Sequence, residues 1–589
     1  MLKVYQTSLD LMQNLIKTIE YQIDAINLPA NFIQVTISFK STKKNPVLKI
    51  PSWRPGRYML QNYAACIRDC YAKDQNGTYL SINKVDKNSW GILAEANSVI
   101  KFSYLYYCRQ MDAGGCWSDA ELFYINPIAC LMAVDEQEAT PCSLKLNLPS
   151  SFIVKTGISK ESEKIYQVDS FLSLSDFPIL ASPNLTTLSY AVEGIPFYIH
   201  STVDASYFPS TIVKDFKAFT AAQIKDFGTF PEKEYHFFLL ILPYQHYHGV
   251  EHRNSTVICL GPAIDVKDKL YPELIGICSH ELYHTWNICK IRPSEMLPYN
   301  LFEAQYFKTG FVAEGITTYL GDYYIAHSTV FTKEWYQNEL NILLKRHFYS
   351  FGNNHLSLAD SSFDLWVDGY DVGIPNRKVS IYVKGAIVAF LMDVAIRKST
   401  LNASTLRDMM FTLWNTYKAE GKGYTEDSIG VLFNSITSNQ YTEDFNRWVY
   451  GLGDLKNDLL NTFQYLKIPV TEEAHINFFG KNFGFLCDPL FIVQTVDDAS
   501  PYLSILGKGD RILRINNIPA SECVLNELED LDTLFIDCTN GIQTWEVELK
   551  RTEALYFKAL QVQLTEDSRL LKCQMVANLL PPLTANLNS

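Results

Sequence analysis

The segment Ile277–Trp286 constrains this chain more than any other because it contains the pattern H-E-x-x-H, formed by His280, Glu281 and His284. On a helix, residues four apart lie one above the other on the same face. Both histidines can therefore turn an imidazole nitrogen toward one metal ion, and Glu281 stands beside them as a candidate general base. Zinc suits these ligands because it binds imidazole and carboxylate tetrahedrally and leaves one position open for water. The alternative is an amphipathic helix with two ordinary histidines.

The composition indicates a large globular protein that does not bind nucleic acid. A chain of 589 residues is too long for one core and predicts three or four domains. Hydrophobic residues make up 47% and charged residues 20%, which is ordinary for globular domains. The net charge of −13 leaves no surplus of Lys and Arg to neutralise phosphates, so a nucleic-acid partner is not expected.

The apolar and cysteine patterns predict a soluble, cytoplasmic protein with no membrane partner. No apolar run reaches the roughly 18 residues that a membrane-spanning helix needs. The first residues lack the continuous apolar stretch of a secretory signal. Thirteen cysteines without framework spacing predict reduced thiols and no disulfide scaffold.

Hydrophobic periodicity divides the chain into β-rich, α-rich and β-rich parts. Alternating apolar residues predict strands at Ile19–Asp24 and Phe32–Phe39, and further strands are expected as far as Phe171–Leu174. Helical periodicity dominates from about Val213, except for a buried strand run at Tyr235–Leu242 and a polar loop that leads into a strand at Tyr244–Leu260. We therefore predict a multidomain α+β fold with a β-sandwich-like domain at residues 1–185, an α-rich domain at 186–469, a β-rich domain at 470–563 and a tail at 564–589.

A zinc site of this type needs a third protein ligand, which in gluzincins is a glutamate on the next helix. The segment Phe311–Tyr324 offers Glu314. A glutamate on an otherwise apolar helix is costly to bury unless it is paired or bound to a metal. A solvated carboxylate on the helix surface is the alternative, and the residues alone leave it open.

Four further segments carry motifs in a fixed order along the chain. They are W-x-P-G-x-Y at Trp53–Tyr58, G-x-E-H-x-x-S at Gly249–Ser255, N-x-x-x-S-x-Y-x-K-G at Asn376–Gly385, and a PDZ-like pattern at Gly484–Asn516. Together with the H-E-x-x-H and E-G segments, they resemble the M61 peptidases, the glycyl aminopeptidase family. The catalytic core of that family is similar to that of the M1 aminopeptidases. The resemblance extends from about Ile19 to Gln563.

The resemblance implies a thermolysin-like catalytic domain and a PDZ-like C-terminal domain. It implies zinc bound by His280, His284 and Glu314. Glu281 would be the general base and Tyr382 the donor that stabilises the transition state. Glu251 would recognise the substrate amine, and Gly249 in the same loop would also belong to the substrate-binding site. The implied activity is that of a zinc aminopeptidase on peptides with a free N-terminus, with a preference for glycine or alanine there.

Several alternatives remain open at this level. The same zinc core could serve an endopeptidase, or a non-catalytic protein that binds peptide C-termini through the PDZ-like domain; intact Glu281 and Tyr382 argue against the latter. The PDZ-like domain itself could be a structural appendage. His246, His248 and His252 crowd the loop around Glu251 and could mimic a second metal site, although solvated or cleft-lining imidazoles are the favoured interpretation.

Overall fold

The structure is a computed structural model that describes residues 18–162, 165–371, 373–419, 421–528 and 531–568. It divides into two compact units. The first comprises Met1–Phe307, Leu365–Tyr370 and Met410–Thr425, and the second comprises Lys308–Asp364, Asp371–Met409 and Glu426–Ser589. The first 17 residues, for which no secretory signal is predicted, and the part of the predicted tail beyond residue 568 lie outside the described residues.

The strands of the first unit form four sheets. In chain order they are Ile19–Asp24 (β1), Phe32–Lys40 (β2), Val47–Lys49 (β3), Ile67–Asp74 (β4), Tyr79–Leu80 (β5), Ile82–Asp86 (β6), Ser89–Ile92 (β7), Val99–Tyr107 (β8), Arg109–Gln110 (β9), Cys116–Ser118 (β10), Phe123–Ile125 (β11), Ala133–Val134 (β12), Cys142–Asn147 (β13), Ile153–Thr156 (β14), Lys160–Ser162 (β15), Ile165–Val168 (β16), Ile179–Ser182 (β17), Thr186–Val192 (β18), Ile195–Ser201 (β19), Tyr235–Ile241 (β20), His246–His252 (β21) and Ser255–Gly261 (β22). Three sheets occupy the N-terminal part, in the orders β15-β16-β13-β1-β2-β8-β4-β5, β14-β17-β11-β10-β9 and β12-β3-β7-β6.

The N-terminal part is β-rich, as predicted, because its strands alternate between core and surface. In β1 and β2 every second residue is buried, and Ile23 lies opposite Val35 in the antiparallel register. The strand predicted at Phe171–Leu174 is wrong, since Phe171–Ser175 is a short helix. The Oγ of Ser170 accepts a hydrogen bond from the backbone N–H of Ser173 at 3.1 Å, which caps the helix start.

The helices dominate the middle of the chain, as predicted. In chain order they are Pro127–Cys130 (α1), Phe171–Ser175 (α2), Ile212–Phe227 (α3), Tyr271–Tyr283 (α4), Ile316–His327 (α5), Lys333–Phe348 (α6), Leu358–Phe363 (α7), Leu365–Asp368 (α8), Val383–Ser399 (α9), Leu406–Tyr417 (α10), Glu426–Ile436 (α11), Thr442–Tyr450 (α12), Lys456–Leu466 (α13) and Phe478–Phe483 (α14). In the part of the chain that the structure describes, none of them is long and apolar enough to cross a bilayer.

The fourth sheet of the first unit, ordered β18-β19-β20-β22-β21, supports the site. Strands β19, β20 and β22 are parallel, and β21 runs antiparallel to β22 at one edge. The predicted polar loop is thus partly a strand, because polar residues are tolerated at a sheet edge. Helices α3 and α4 pack together, and Gln223 Nε2 donates to the Ser279 carbonyl oxygen at 2.9 Å.

The second unit contains a buried helix and the C-terminal strands. Residues from Val383 to Arg397 of α9 are buried on all sides, and an ion pair of 2.9 Å between Arg397 and Asp393 compensates the buried charges. The strands are Val470–Glu473 (β23), Phe485–Cys487 (β24), Val493–Val496 (β25), Arg511–Ile515 (β26), Ile518–Pro519 (β27), Thr533–Thr539 (β28), Thr544–Lys550 (β29) and Ala559–Val562 (β30). They pair as β23-β30, β24-β25 and β27-β26-β28-β29.

Candidate metal centre

The H-E-x-x-H motif lies at the C-terminal end of α4. His280 and Glu281 belong to its last turn, and His284 caps the helix with backbone angles that continue the turn. The Nε2 atoms of His280 and His284 are 3.0 Å apart, and the two rings are nearly perpendicular, at 84°. Two imidazole nitrogens therefore converge on one point, as the four-residue spacing predicts.

A hydrogen bond from the His284 ring to the backbone leaves Nε2 as the ring nitrogen that can bind a metal. Nδ1 lies 3.0 Å from the carbonyl oxygen of Asn287, so the proton of the neutral ring is on Nδ1. Nε2 consequently presents a lone pair on the side where the His280 Nε2 lies. A carbonyl partner on the far ring nitrogen is the usual support of a metal-binding histidine, so this pair of residues fits a zinc ion.

Two buried carboxylates stand beside His284. The Glu281 and Glu251 residues are 5% and 6% exposed. A ligand atom of each lies within 4.8 Å of the other and of His284. The first unit thus brings the candidate base and the candidate amine recogniser to one place.

Gly249 lies where β21 passes closest to the motif helix. A Cβ atom at this position would lie 2.4 Å from Glu281 Oε1 and 2.8 Å from Ile277 Cδ1. Only glycine lets the edge strand approach the candidate base this closely. The backbone of β21 therefore borders the site directly.

The W-x-P-G-x-Y turn reaches the same site and packs on Glu251. Gly56 has a φ of 76°, and a Cβ atom there would lie 2.1 Å from Glu251 Oε2. Both the positive φ and the close approach require glycine. The P-G pair indicated a turn, but nothing in the local pattern indicated that the turn packs on a residue 195 positions later.

The histidines around Glu251 are each bonded to an aspartate. His246 Nε2 lies 3.2 Å and His248 Nδ1 2.5 Å from Asp112 Oδ1, and His252 Nδ1 lies 3.1 Å from Asp176 Oδ1. Burial opposes ionisation of Asp112, but the hydrogen bond and charge of His248 hold its pKa well below the usual value. Among the described residues, neither His246, His248 nor His252 belongs to a group of three potential metal ligands. This arrangement favours the interpretation that they line the cleft.

Glu314 and Tyr382 belong to the second unit. Glu314 is 2% exposed and lies in a single π-helical turn, Phe311–Gly315, immediately before α5. Thr318 Oγ1 donates to the Glu314 carbonyl oxygen at 2.8 Å, so a side chain satisfies part of this irregular backbone. Tyr382 is half-buried and is the residue that precedes α9. π-helical turns occur often at functional sites.

The two motifs of the second unit meet through their glycines. A Cβ atom on Gly315 would lie 2.5 Å from the Cα and carbonyl carbon of Gly385, and one on Gly385 would lie 2.8 Å from the Cα of Gly315. The turn that carries Glu314 therefore packs backbone to backbone against the first turn of α9. This contact gives a physical reason for the E-G and K-G pairs.

Two segments of the chain match models of one protein family. Residues 20–183 match the Peptidase M61 N-terminal domain, and residues 273–388 match the M61 glycyl aminopeptidase model. No curated protein matches this chain in sequence.

Solved structures that match this chain include an aminopeptidase N family protein and an M1 zinc metallopeptidase. An aminopeptidase N family protein from Idiomarina loihiensis is 25% identical, and the match covers 93% of this chain and 99% of that chain with a TM-score of 0.85. An M1 zinc metallopeptidase from Deinococcus radiodurans is 12% identical, with 74% and 94% covered and a TM-score of 0.43. The two family models and the near-complete match to the first structure agree with the motifs, and the chain belongs to the M61 family of metallopeptidases.

Proposed function

We propose that this protein is a zinc-dependent aminopeptidase that hydrolyses the first peptide bond of peptides with a free N-terminus. The observation that carries the proposal is the pair of imidazole Nε2 atoms, 3.0 Å apart, beside two buried carboxylates. A purely structural zinc site needs closed coordination and no neighbouring base. The description of the matched family model, a glycyl aminopeptidase, supports the same activity.

The proposed zinc ligands are His280, His284 and Glu314. The tautomer of His284 fits a metal-binding imidazole. Glu314 is almost fully buried, and buried carboxylates are generally retained where they are paired or coordinate a metal. When bound, zinc would supply Lewis-acid activation of the scissile carbonyl and of the attacking water.

Three side chains of this chain would carry the remaining chemistry. A carboxylate oxygen of Glu281 takes the proton of the attacking water and delivers it to the leaving amine. The hydroxyl of Tyr382 donates a hydrogen bond to the oxyanion that develops on the carbonyl, without adding charge to the site. The carboxylate of Glu251 accepts the cationic substrate amine and so directs cleavage to the first bond.

The proposed N-terminal preference is for glycine and alanine, as the family resemblance implies. The C-terminal region 470–563 is proposed to be a PDZ-like domain whose ligand would be a peptide C-terminus that adds a strand to the sheet. Titration of the full-length protein with a free-acid peptide and its amidated form tests this second role, because only the free carboxylate should bind.

Metal analysis and the Glu281→Gln variant test the peptidase proposal. The purified protein should hold about one zinc per chain and hydrolyse glycyl- and alanyl-p-nitroanilide until a chelator removes the metal. Glu281→Gln should keep the zinc and lose nearly all turnover, since it removes the base and no ligand. Most of the activity surviving in Glu281→Gln, or no zinc even after reconstitution, would refute the mechanism.

A further inference from the structure

A cavity of about 590 Å³ in the first unit borders Glu251. Its wall includes Pro55 from the turn beside Glu251, several residues between Ser170 and Asp176 around α2, and several residues from the segments 288–292 and 297–301. A volume of this order is typical of ligand pockets and far exceeds what the hydrogen or methyl side chain of glycine or alanine occupies. The space beside the proposed amine site therefore does not by itself restrict the substrate to small residues.

The guanidinium of Arg292 is held rigidly on the wall of this cavity. Its Nε donates to the Ile288 carbonyl oxygen and its Nη2 to the Cys289 carbonyl oxygen, both at 3.0 Å. Its central carbon lies 3.9 Å from the centroid of the Tyr299 ring. No carboxylate within the described part of the chain forms an ion pair with Arg292. The fork geometry of arginine suits a carboxylate that approaches its remaining N–H groups.

Basic side chains outnumber acidic ones on the cavity wall. The lining residues include five basic ones, Arg253, Lys290, Arg292, Lys418 and Lys422, and three acidic ones, Asp169, Asp176 and Glu251. Arg253 Nε and Lys290 Nζ both form ion pairs with the Glu232 carboxylate, at 2.9 and 3.1 Å. The Asp176 carboxylate is engaged by His252 Nδ1 at 3.1 Å and by the backbone N–H of Arg253 at 3.0 Å. Lys418, Lys422 and Asp169 are all exposed.

We propose that this cavity receives the side chain of the N-terminal substrate residue and that Arg292 binds a carboxylate there. The inference rests on the proposed aminopeptidase function. When Glu251 holds the substrate amine, the side chain on the adjacent carbon lies within reach of the cavity that Glu251 borders. N-terminal glutamate and aspartate would then be substrates alongside glycine and alanine.

Aminoacyl-p-nitroanilides that differ in one group test the proposal. The wild-type kcat/KM for the glutamyl substrate should exceed that for its neutral isostere, the glutaminyl substrate, by about ten- to a hundredfold, the typical effect of one charge-assisted hydrogen bond. Arg292→Gln should abolish this difference between the glutamyl and glutaminyl substrates. Arg292→Lys should restore part of the difference, because it keeps the charge but not the fork.

Two controls separate recognition from folding and from the proposed function. Lys267→Gln removes an exposed charge outside the cavity and should leave the ratio of glutamyl to glutaminyl rates unchanged. Because Arg292 also holds the Ile288–Cys289 backbone, alanyl turnover of each variant reports whether the site is intact. A wild-type ratio near one, or a large ratio that survives in Arg292→Gln, overturns the role of Arg292. Absence of turnover on every substrate, the alanyl one included, overturns the proposed function itself.

Discussion

At the scale of single residues, the site contains two carboxylates for which we propose different roles. Glu281 is carried by the motif helix and lies against Gly249 of the edge strand, whereas Glu251 lies on that strand against Gly56. Both side chains are buried, so we expect that a substitution which removes either negative charge will strongly affect the site. Their roles can be separated by the substrates that each variant still accepts.

Removing the carboxylate of Glu251 should weaken recognition of the substrate amine. For Glu251→Ala we expect kcat/KM on free-amine substrates to fall by at least about ten- to a hundredfold, the effect of losing one charge-assisted hydrogen bond. The wild-type enzyme should hardly cleave N-acetylated peptides, because acetylation removes the charge. A variant that only melts at lower temperature, with unchanged selectivity, would assign Glu251 a structural role. Efficient wild-type cleavage of blocked peptides would favour the endopeptidase alternative.

Removing the hydroxyl of Tyr382 should slow the chemical step. Tyr382→Phe should lower kcat by roughly 10²–10³, the usual loss for one oxyanion donor, with little change in KM. Zinc content, measured on the same sample, should stay at the wild-type value because Tyr382 is not a proposed ligand. A variant that loses affinity and keeps kcat would move Tyr382 from catalysis to substrate binding.

At the scale of elements, the contact between the Glu314 turn and α9 has no room for a side chain. Gly315→Ala would place a methyl group against the Gly385 backbone, and we expect a destabilisation of about 1–3 kcal/mol, the typical cost of overpacking. The matched control is Gly276→Ala inside α4, where nothing lies within 4 Å of the added carbon. That change should be neutral or stabilise by up to about 1 kcal/mol through helix propensity. Equal denaturant midpoints of the two variants would contradict this account.

The packing of α5 on α6 should make the stability of the protein dependent on pH. Burial, and then the charge of Glu339, raise the pKa of Asp322 to about 8. An unfolded chain loses this proton near pH 4, so between pH 4 and 8 the unfolded state binds fewer protons. Stability should therefore fall as the pH rises through this window. Asp322→Asn should remove that part of the fall, and its gain in Tm over wild type should be larger at pH 8 than at pH 5.

At the scale of the whole molecule, the C-terminal region returns to the helices of its own unit. Strands β23 and β30 pair at the two ends of the region, and β30 packs on α6. The buried Asn341 exchanges two hydrogen bonds with Val562, of 3.0 and 2.8 Å. Between these strands, a separate core contains Phe479, Phe483 and Leu549. The region is therefore inserted between β23 and β30, which pair with each other.

Excision of residues 474–558, with a short turn joining β23 to β30, should leave a folded and active peptidase. The pair of strands β23 and β30 on α6 is retained, and the proposed catalytic residues all precede the excised segment. The excision removes a hydrogen bond of 2.7 Å from Asn376 to Asp498, which we expect to lower kcat by less than about tenfold. Deletion of everything after residue 469 also removes β30 and should lower the Tm further. Complete inactivity of the folded, zinc-loaded excision variant would show that the region completes the site.

Features with a local physical cause follow directly from the pattern of residues. The four-residue spacing of His280 and His284 suffices to bring their imidazoles together, because helix periodicity sets which side chains share a face. The alternation in β1 and β2 predicted their buried faces. Such features depend on residues only a few positions apart, so a short segment of the sequence is enough to predict them.

Contacts between segments far apart in the chain, by contrast, are set by the folded protein and not by the local residue pattern. The apolar residues at Phe171–Leu174 fit a strand or a helix, and packing together with the Ser170 cap selected the helix. The contact of Gly56 with Glu251 and the cavity that Arg292 lines leave no periodic signal in the sequence. Contacts of this kind depend on where folded elements come to lie, and many different residue patterns are compatible with the same local structure.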